Sequence, residues 1–304
     1  MLNRYLLVIL ALTSLVMQAC NSGKNPLPQQ NEEDEKEVYI PEIIESFDCF
    51  PQDGESTFEI VTWNVEQYPL DIDTPGAIKT TLDTMKVDII AFQEVKTPNN
   101  LIEAVIDSLP DWEFVYADVR YDLEIGFAYR PSEIISIESL ELLYPDSSNA
   151  FPREPVFTTI EHVSGLKVNL INIHLKCCND GEERRAIASQ LLKKYIDTNL
   201  ANEATILLGD FNDEIDDANN PFTNFIDDNA NYRFADMEIA KGSSEFWSYP
   251  SYGPEGSHID HILISNELFD LEIETKTLTL DNCISRYEYN VSDHLPIMST
   301  FSTN

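Results

Sequence analysis

The sequence predicts an α/β fold in which two β-sheets pack as a sandwich flanked by helices. Three observations predict it. Short apolar runs of strand length end in polar residues, amphipathic segments with helical spacing lie between them, and the strands are too many for a helical bundle. With 304 residues, 43% of them apolar, the chain is long enough to bury the core such a sandwich needs.

The first segment precedes the fold. "MLNRYLLVILALTSLVMQAC" carries one early cation, Arg4, then an apolar stretch from Tyr5 to Met17 too short for a lasting membrane span, so residues 1–19 read as an export signal. The following "VMQACNSG" resembles the lipobox of bacterial lipoproteins, in which a small residue such as Ala19 precedes a cysteine that is acylated; Gln18 departs from that pattern, where a small residue is usual. The resemblance implies lipidation of Cys20 and an exported protein anchored in a membrane, periplasmic or on the cell surface. Residues 20–53, with "NEEDEKE" among Pro26, Pro28 and Pro41, read as an acidic flexible tether, which leaves 54–304 for the folded domain.

Within that domain "FEIVTWNV" (58–65), "VDIIAFQEV" (87–95), "KVNLINIHL" (167–175) and "ATILLGDF" (204–211) predict strands covered on both faces. "PGAIKTTLDTM" (75–85) and "NLIEAVIDSL" (100–109) have helical spacing, and "EERRAIASQLLKKYIDTNL" (182–200) predicts a longer amphipathic helix with acids in its first turn. The more strictly alternating runs "IGFAYRP", "EIISIESLELL", "PVFTTIEHV", "IDHILIS" and "LEIETKTLTL" predict further strands, and "IMSTF" (297–301) the last one.

Polar residues collect where the apolar runs end: Asn64, Gln93 with Glu94, His174, Asp210 with Asn212, Asp260 in "SHIDHIL", and Asp293 with His294 just before the last strand. Singly, an Asn or Asp at a strand end is usually a turn former or helix cap, and one His in an apolar strand is usually a satisfied core residue. Together they supply what a hydrolytic site needs: hard oxygen ligands for a divalent ion, donors for an anion, and a base. The formal net charge of -35, from 54 acids against 19 Lys and Arg, argues against a passive nucleic-acid binder. It leaves open an enzyme that meets phosphates through a cation, because a bound ion reverses the local field.

In order and wording, "TWNV", "FQEV", "NIHLK", "LLGDFND", "GSHIDHILIS" and "SDHLPI" resemble the endonuclease/exonuclease/phosphatase superfamily, the DNase I-like enzymes, over nearly all of the chain after the tether. The resemblance implies a four-layer α/β sandwich with the site at one end. It implies Mg²⁺, with Mn²⁺ or Ca²⁺ as alternatives, held by Glu94 as principal ligand with Asn64 and Asp293. It places Asp210 and Asn212 on the scissile phosphate and its nucleophile, and His294, with Asp260 as its partner, as general base or as an imidazolium facing the phosphate. His174 would be a second imidazole able to assist the leaving oxygen.

Other residues are open to two readings. Glu124 is either an acid paired with His174, as the resemblance implies, or a solvated strand residue, and Tyr121 is similar. Lys96 either contacts a nucleic-acid backbone or is a solvated loop lysine; Arg184 and Arg185 either aid phosphate binding or pair with Glu182 and Glu183. His258 and His261 read as neighbours of Asp260 rather than metal ligands, His162 carries no signal, and "EFWSYPSYGPEG" (245–256) reads as a packed lead-in to Asp260. Cys49, Cys177, Cys178 and Cys283 should be oxidised after export, and a bridge from Cys177 or Cys178 to Cys49 or Cys283 would brace the loop after His174.

The expected function is a Mg²⁺-dependent phosphodiester hydrolase: a monomeric DNase I-like nuclease acting on nucleic acid outside the cell. A sphingomyelinase-like phospholipid phosphodiesterase, or another phosphoesterase, is the alternative. An inactive binding domain is remote, because every position expected to carry chemistry holds a competent residue.

Overall fold

The computed structural model describes residues 44–51, 54, 56–178, 181–251 and 256–304. The export signal, Cys20 and most of the tether lie outside the described residues. Among the described residues no helix is long and apolar enough to cross a membrane.

The strands in chain order are β1 (Thr57–Asn64), β2 (Ile89–Val95), β3 (Glu113–Ala117), β4 (Glu124–Tyr129), β5 (Ile134–Ile137), β6 (Glu141–Leu142) and β7 (Val156–His162). They continue with β8 (Lys167–His174), β9 (Thr205–Asp210), β10 (Tyr232–Phe234), β11 (Asp260–Ser265), β12 (Glu272–Thr277) and β13 (Ile297–Ser302). One sheet has the order β12-β13-β1-β2-β4-β3; the other has β10-β11-β9-β8-β7-β5, with β6 against β7. Each is antiparallel apart from one central parallel pair, β1 with β2 and β8 with β9. Parallel neighbours need a crossover, and helices α1 (Thr74–Thr84) and α3 (Glu182–Asn199) supply the two, while α2 (Pro98–Ala104) follows β2.

The side-chain alternation of the strands sorts the core into three apolar layers. Val61 and Trp63 pack outward from β1 with Ala77, Ile78 and Leu82 of α1 and Leu101 of α2. Phe58 and Ile60, one residue out of phase, join Ile89, Ala91 and Phe127 against Ile160, Leu170, Ile206, Leu208 and Ile262 of the other sheet. On the far side Ile171, Ile173 and Leu207 pack under Ala188, Leu192 and Ile196 of α3. Helices, sheet, sheet and helices therefore make the expected four layers. Two strands, β3 and β10, add to the predicted set: both are edge strands, and β10 is too short to show a period.

Two expectations are corrected at the N-terminal side. The folded unit begins before residue 54, because Ile44 bridges Ile284, Cys49 is disulfide-bonded to Cys283, and Phe50 is buried in the core beneath α1. Residues 44–50 thus belong to the domain rather than the tether. That disulfide ties down the N-terminal segment and leaves the loop after His174 outside any bridge to Cys49 or Cys283; Cys177 and Cys178 are exposed, with their Sγ atoms 2.6 Å apart.

Asp260 and His261 are adjacent on β11 and so face opposite sides of the sheet. His261 enters the outer core edge-on to Phe211 and Phe234, where Nδ1 donates to Asp236 Oδ2 at 2.5 Å and Nε2 to the Asp213 carbonyl at 2.9 Å. His258 accepts the Ser248 N–H at Nδ1, so its Nε2–H is the donor to the same Asp236 oxygen, at 2.9 Å. Burial alone would raise the Asp236 carboxyl, but the two imidazoles hold it well below the usual carboxylate range. All four ring nitrogens are committed to hydrogen bonds, so the cluster is a buried ionic clasp with no position left for a metal, in agreement with the reading of both histidines as neighbours. Asp236→Ala would strand the His261 charge in the core and should destabilise the fold by about 3–5 kcal/mol in urea denaturation. A loss below about 1 kcal/mol would show that His261 is neutral there.

Candidate active site

Strand direction explains where the polar residues go. In the parallel pairs Asn64 lies beside Gln93 and His174 beside Asp210, so both pairs end on one side of the sandwich. The antiparallel neighbours begin on that same side: Asp260 pairs with Asp210 at the start of β11, and Ile297 pairs with Thr62 at the start of β13. Asp293 and His294, just ahead of β13, stand at the same mouth for that reason.

Local backbone then aims the side chains. Glu94 takes a left-handed conformation, φ 62°, at an irregularity in the β2–β4 pairing, which turns its carboxylate outward while Gln93 points into the protein. Gly209 has φ 138°, and a Cβ there would lie 2.0 Å from the Ile173 carbonyl oxygen; only glycine lets β9 approach β8 and set Asp210 beside His174. Asn212 is also left-handed, φ 56°, and its N–H donates to Asp210 Oδ1 at 2.8 Å.

The result is a cleft of about 530 Å³ whose walls include Glu94, His174, Arg185, Asp210, Asn212, Asp293 and His294. Asn64 and Asp260 stand directly behind it. His294 Nδ1 meets Asp260 Oδ2 at 2.7 Å, and Tyr249 stacks on the ring, 4.6 Å between centroids. Burial would push the His294 ring down, but Asp260, Asp210 and Asp293 together raise it to about 10, so it is an imidazolium at neutral pH. His174 is the opposite case. Burial first, then Arg153 and His294, hold it far below the ordinary histidine value, with Nε2 3.4 Å from Asp210 Oδ2 and 3.6 Å from Glu94 Oε1.

The expected ligation by Asn64 is corrected. Its Oδ1 accepts the Glu66 N–H at 3.0 Å, which fixes the amide orientation, and Nδ2 faces Asp210 Oδ2 at 3.0 Å and Glu94 Oε1 at 3.4 Å. Asn64 therefore holds two carboxylates in place and does not offer its oxygen to an ion. Glu94, Asp293, Asp210 and the neighbouring Glu66 do fit a hard divalent cation, being oxygen donors crowded into one cleft. Glu66 is pushed up to about 7 by burial and then by Asp293, and Asp210 to about 7 by burial and then by Asp260. Carboxyls that retain protons near neutrality in this way face more negative charge than the surroundings offset, and a divalent ion would relieve it.

The weaker candidates fall elsewhere. Lys96 is exposed and reaches Gln67 Oε1 at 3.4 Å; Tyr121 is 70% exposed on the β3–β4 loop; Arg184 donates to the Ser148 and Asn149 carbonyls. None of the three lines the cleft. Arg185 does, but as a buried brace paired with Asp213 at 2.7 Å and with the Lys176 and Cys178 carbonyls. Glu124 is neither solvated nor paired with His174: it is buried, its carboxylate accepts the Val119 N–H at 2.7 Å, and His174 Nδ1 has no hydrogen-bond partner. Sequence reasoning passed over Glu66, Tyr249 and Arg153. Arg153 lines the cleft beside His174 with its buried Nε unpartnered, a cation facing an acidic wall. Its signal in "FPREP" was too short to separate from a turn.

Solved structures of the same fold include TDP2 of D. rerio complexed with single-strand DNA product, at TM-score 0.62 and 17% identity over 81% of this chain and 99% of that one. The human Nocturnin catalytic domain with bound sulfate matches at TM-score 0.58 and 15% identity, covering 83% and 96%. The 3' phosphatase NExo from Neisseria bound to product DNA hairpin matches at TM-score 0.58 and 18% identity, covering 80% and 99%. No curated protein matches the chain by sequence. Residues 61–294 match the profile of one family, and that span runs from the outward turn of β1 to the His294 imidazole. On that match, and on the site it encloses, the chain belongs to the Endonuclease/Exonuclease/phosphatase family.

Proposed function

We propose that the protein is a Mg²⁺-dependent phosphodiester hydrolase acting on nucleic acid, exported and anchored to a membrane through Cys20, and working as a monomer. The observation that carries the chemistry is the pair of imidazoles held in opposite protonation states around Asp210, one charged by Asp260 and one kept neutral by burial. Environments that push paired titratable groups apart assign acid and base roles.

In this reading Glu94 and Asp293 hold the ion, with Glu66 beside them, and the ion supplies charge neutralisation for the scissile phosphate. Asp210, raised towards neutrality, accepts the proton of the attacking water, while Asn212 orients that water and the phosphate. His294 offers Nε2–H to a phosphoryl oxygen, with Asp260 holding the ring and Tyr249 its face. His174 assists the departing oxygen. Arg153 replaces Lys96 and Arg184 as the cation that meets the substrate's backbone. Support for nucleic acid comes from relatives of the same fold solved with a DNA strand or hairpin product. Exposed Leu70 and Ile72, in the loop after β1 at the site end, are the observation that favours the lipid alternative.

Plasmid DNA, RNA, sphingomyelin vesicles and a soluble bis-aryl phosphodiester, each with and without Mg²⁺, separate these readings. Glu94→Ala should abolish the Mg²⁺-dependent rate, and His294→Ala should reduce it by roughly two to four orders of magnitude with little change in stability. Vesicle hydrolysis far above DNA hydrolysis at matched phosphate would sink the nuclease reading and leave the chemistry intact.

The His294 ring is charged below its raised value and neutral above it, so activity that needs the imidazolium is lost as pH rises through that value. Asp260→Asn removes the charge that raises it, and the alkaline limb of kcat/KM should move to lower pH; an unmoved limb would assign it to another group.

For Arg153→Ala, KM for DNA should rise with little change on the small diester, and the salt dependence of DNA cleavage should weaken; Lys96→Ala should leave both nearly unchanged. The reverse ranking would return the phosphate contact to Lys96.

A further inference from the structure

The sandwich has a second cluster of buried ionisable groups, at the end opposite the cleft. Glu59 near the start of β1 and Asp88 just before β2 are neighbours through the same parallel pairing that joins Asn64 to Gln93 at the other end. Both are almost wholly buried, at 3% and 1% exposure, and the Asp88 carboxylate accepts the Glu59 N–H at 2.9 Å. From the other sheet His162, at the end of β7 and 3% exposed, turns its ring towards them. Its Nδ1 is engaged with Ser164, at 2.8 Å to the hydroxyl, while Nε2 has no hydrogen-bond partner and points at Asp88 Oδ2 from 3.7 Å. The loop before β5 adds Glu133, which is drawn in because its carbonyl accepts the Val163 N–H at 2.7 Å; its side chain is 27% exposed and meets Arg130 at 3.6 Å.

We propose that Asp88, Glu133 and His162, with Glu59 behind them, form a structural site for a divalent transition ion of the Zn²⁺ class, which clamps the two sheets at the end away from the catalytic cleft. The ligand atoms of Asp88, Glu133 and His162 already lie within 4.8 Å of one another. Ligands of a tetrahedral zinc ion lie roughly 3.3 Å apart, so a contraction of a few tenths of an ångström at Asp88 and His162 is enough. An imidazole among carboxylates selects zinc or manganese over calcium and magnesium, which take oxygen alone. The Ser164 hydroxyl on Nδ1 is the hydrogen bond that orients a ligating ring and leaves Nε2 for the metal. Burial, above all, and the charges of Glu59 and Glu133 push Asp88 up to about 8, the strain that such an ion would relieve. Glu133 gives the ion a path from solvent. The Asp236 clasp offers nothing comparable, since its nitrogens are all bonded.

The test uses the full chain carrying Glu94→Ala, which silences the catalytic cleft as a binding site, after chelator treatment. Calorimetric titration with Zn²⁺ should show one strong site, and Zn²⁺ should raise the melting temperature where Mg²⁺ and Ca²⁺ do not. Adding Glu133→Gln, a half-exposed change that leaves the core intact, should weaken Zn²⁺ binding at least about tenfold, and adding His162→Ala should remove the stabilisation. Co²⁺ in place of Zn²⁺ should give a d–d absorption band that Glu133→Gln shifts, a readout that does not depend on the His162 variant folding. No thermal stabilisation by Zn²⁺, or the same binding with and without Glu133→Gln, would overturn the site. Neither outcome bears on the hydrolase reading, which rests on the other end of the molecule.

Discussion

The site depends on one buried hydrogen bond between the two sheets. Gln93 Nε2, from β2, donates to Asn172 Oδ1, from β8, at 2.8 Å, and Asn172 Nδ2 in turn donates to the carbonyls of Phe92 and Gly126. Thr62 on β1 completes the network, and none of the three side chains is exposed. Apolar packing between sheets is tolerant of sliding; a satisfied amide pair is not, because any slip leaves buried donors and acceptors unpaired at about 1–3 kcal/mol each. That rigidity matters because the chemistry is divided. Asn64, Glu94, Asp293 and His294 come from one sheet, and His174, Asp210, Asn212 and Asp260 from the other. Their contacts across the gap, Asn64 to Asp210 and His294 to Asp260, are set one layer above the amide pair.

Charge is the second constraint, and it opposes the first. Packing Glu66, Glu94, Asp210, Asp260 and Asp293 around one cleft destabilises the folded chain unless protons or a cation offset the repulsion, and two of these carboxyls are raised to about 7. The same crowding charges His294 strongly, so the acids serve the imidazolium even where they do not touch it. The strongly negative net charge of the chain is therefore not spread evenly in its consequences. On the surface it is solvated and weak; in the cleft it sets which proton is held and which ion is needed.

The fold was legible because the buried strands are apolar runs with clear ends, and the ends named most of the cleft. What was not legible follows from geometry the chain order does not carry. Gln93 and Glu94 looked alike, two polar residues closing one strand; a left-handed φ at Glu94 sends one to the site and the other between the sheets. Asn64 was visible as a site residue, but which end of its amide faces the acids is decided by the Glu66 N–H, a donor no pattern records. Arg153 escaped because a lone arginine before a strand is ordinary, and Lys96 attracted notice because it follows Glu94 by two, although the outward turn of the chain carries it away from the cleft. The tether boundary failed for a related reason: Ile44, Cys49 and Phe50 are too sparse to show a period, yet a disulfide and one buried ring are enough to dock them.

The two ends of the sandwich obey one rule. A parallel strand pair places residues of equal register side by side at both of its ends, so β1 and β2 bring Asn64 to Gln93 at one end and Glu59 to Asp88 at the other. At the first end the chain supplies loops that open a cleft, and the grouped acids meet solvent and substrate. At the second the strand β7 and the turn after it close over the acids, and His162 is pressed against them with a nitrogen to spare. The same topological accident therefore yields a reactive centre where it is left open and a buried cluster where it is covered. His162 showed nothing in the sequence because its partners lie 74 and 29 positions away, Asp88 and Glu133, and only the packing of one sheet on the other makes them a group.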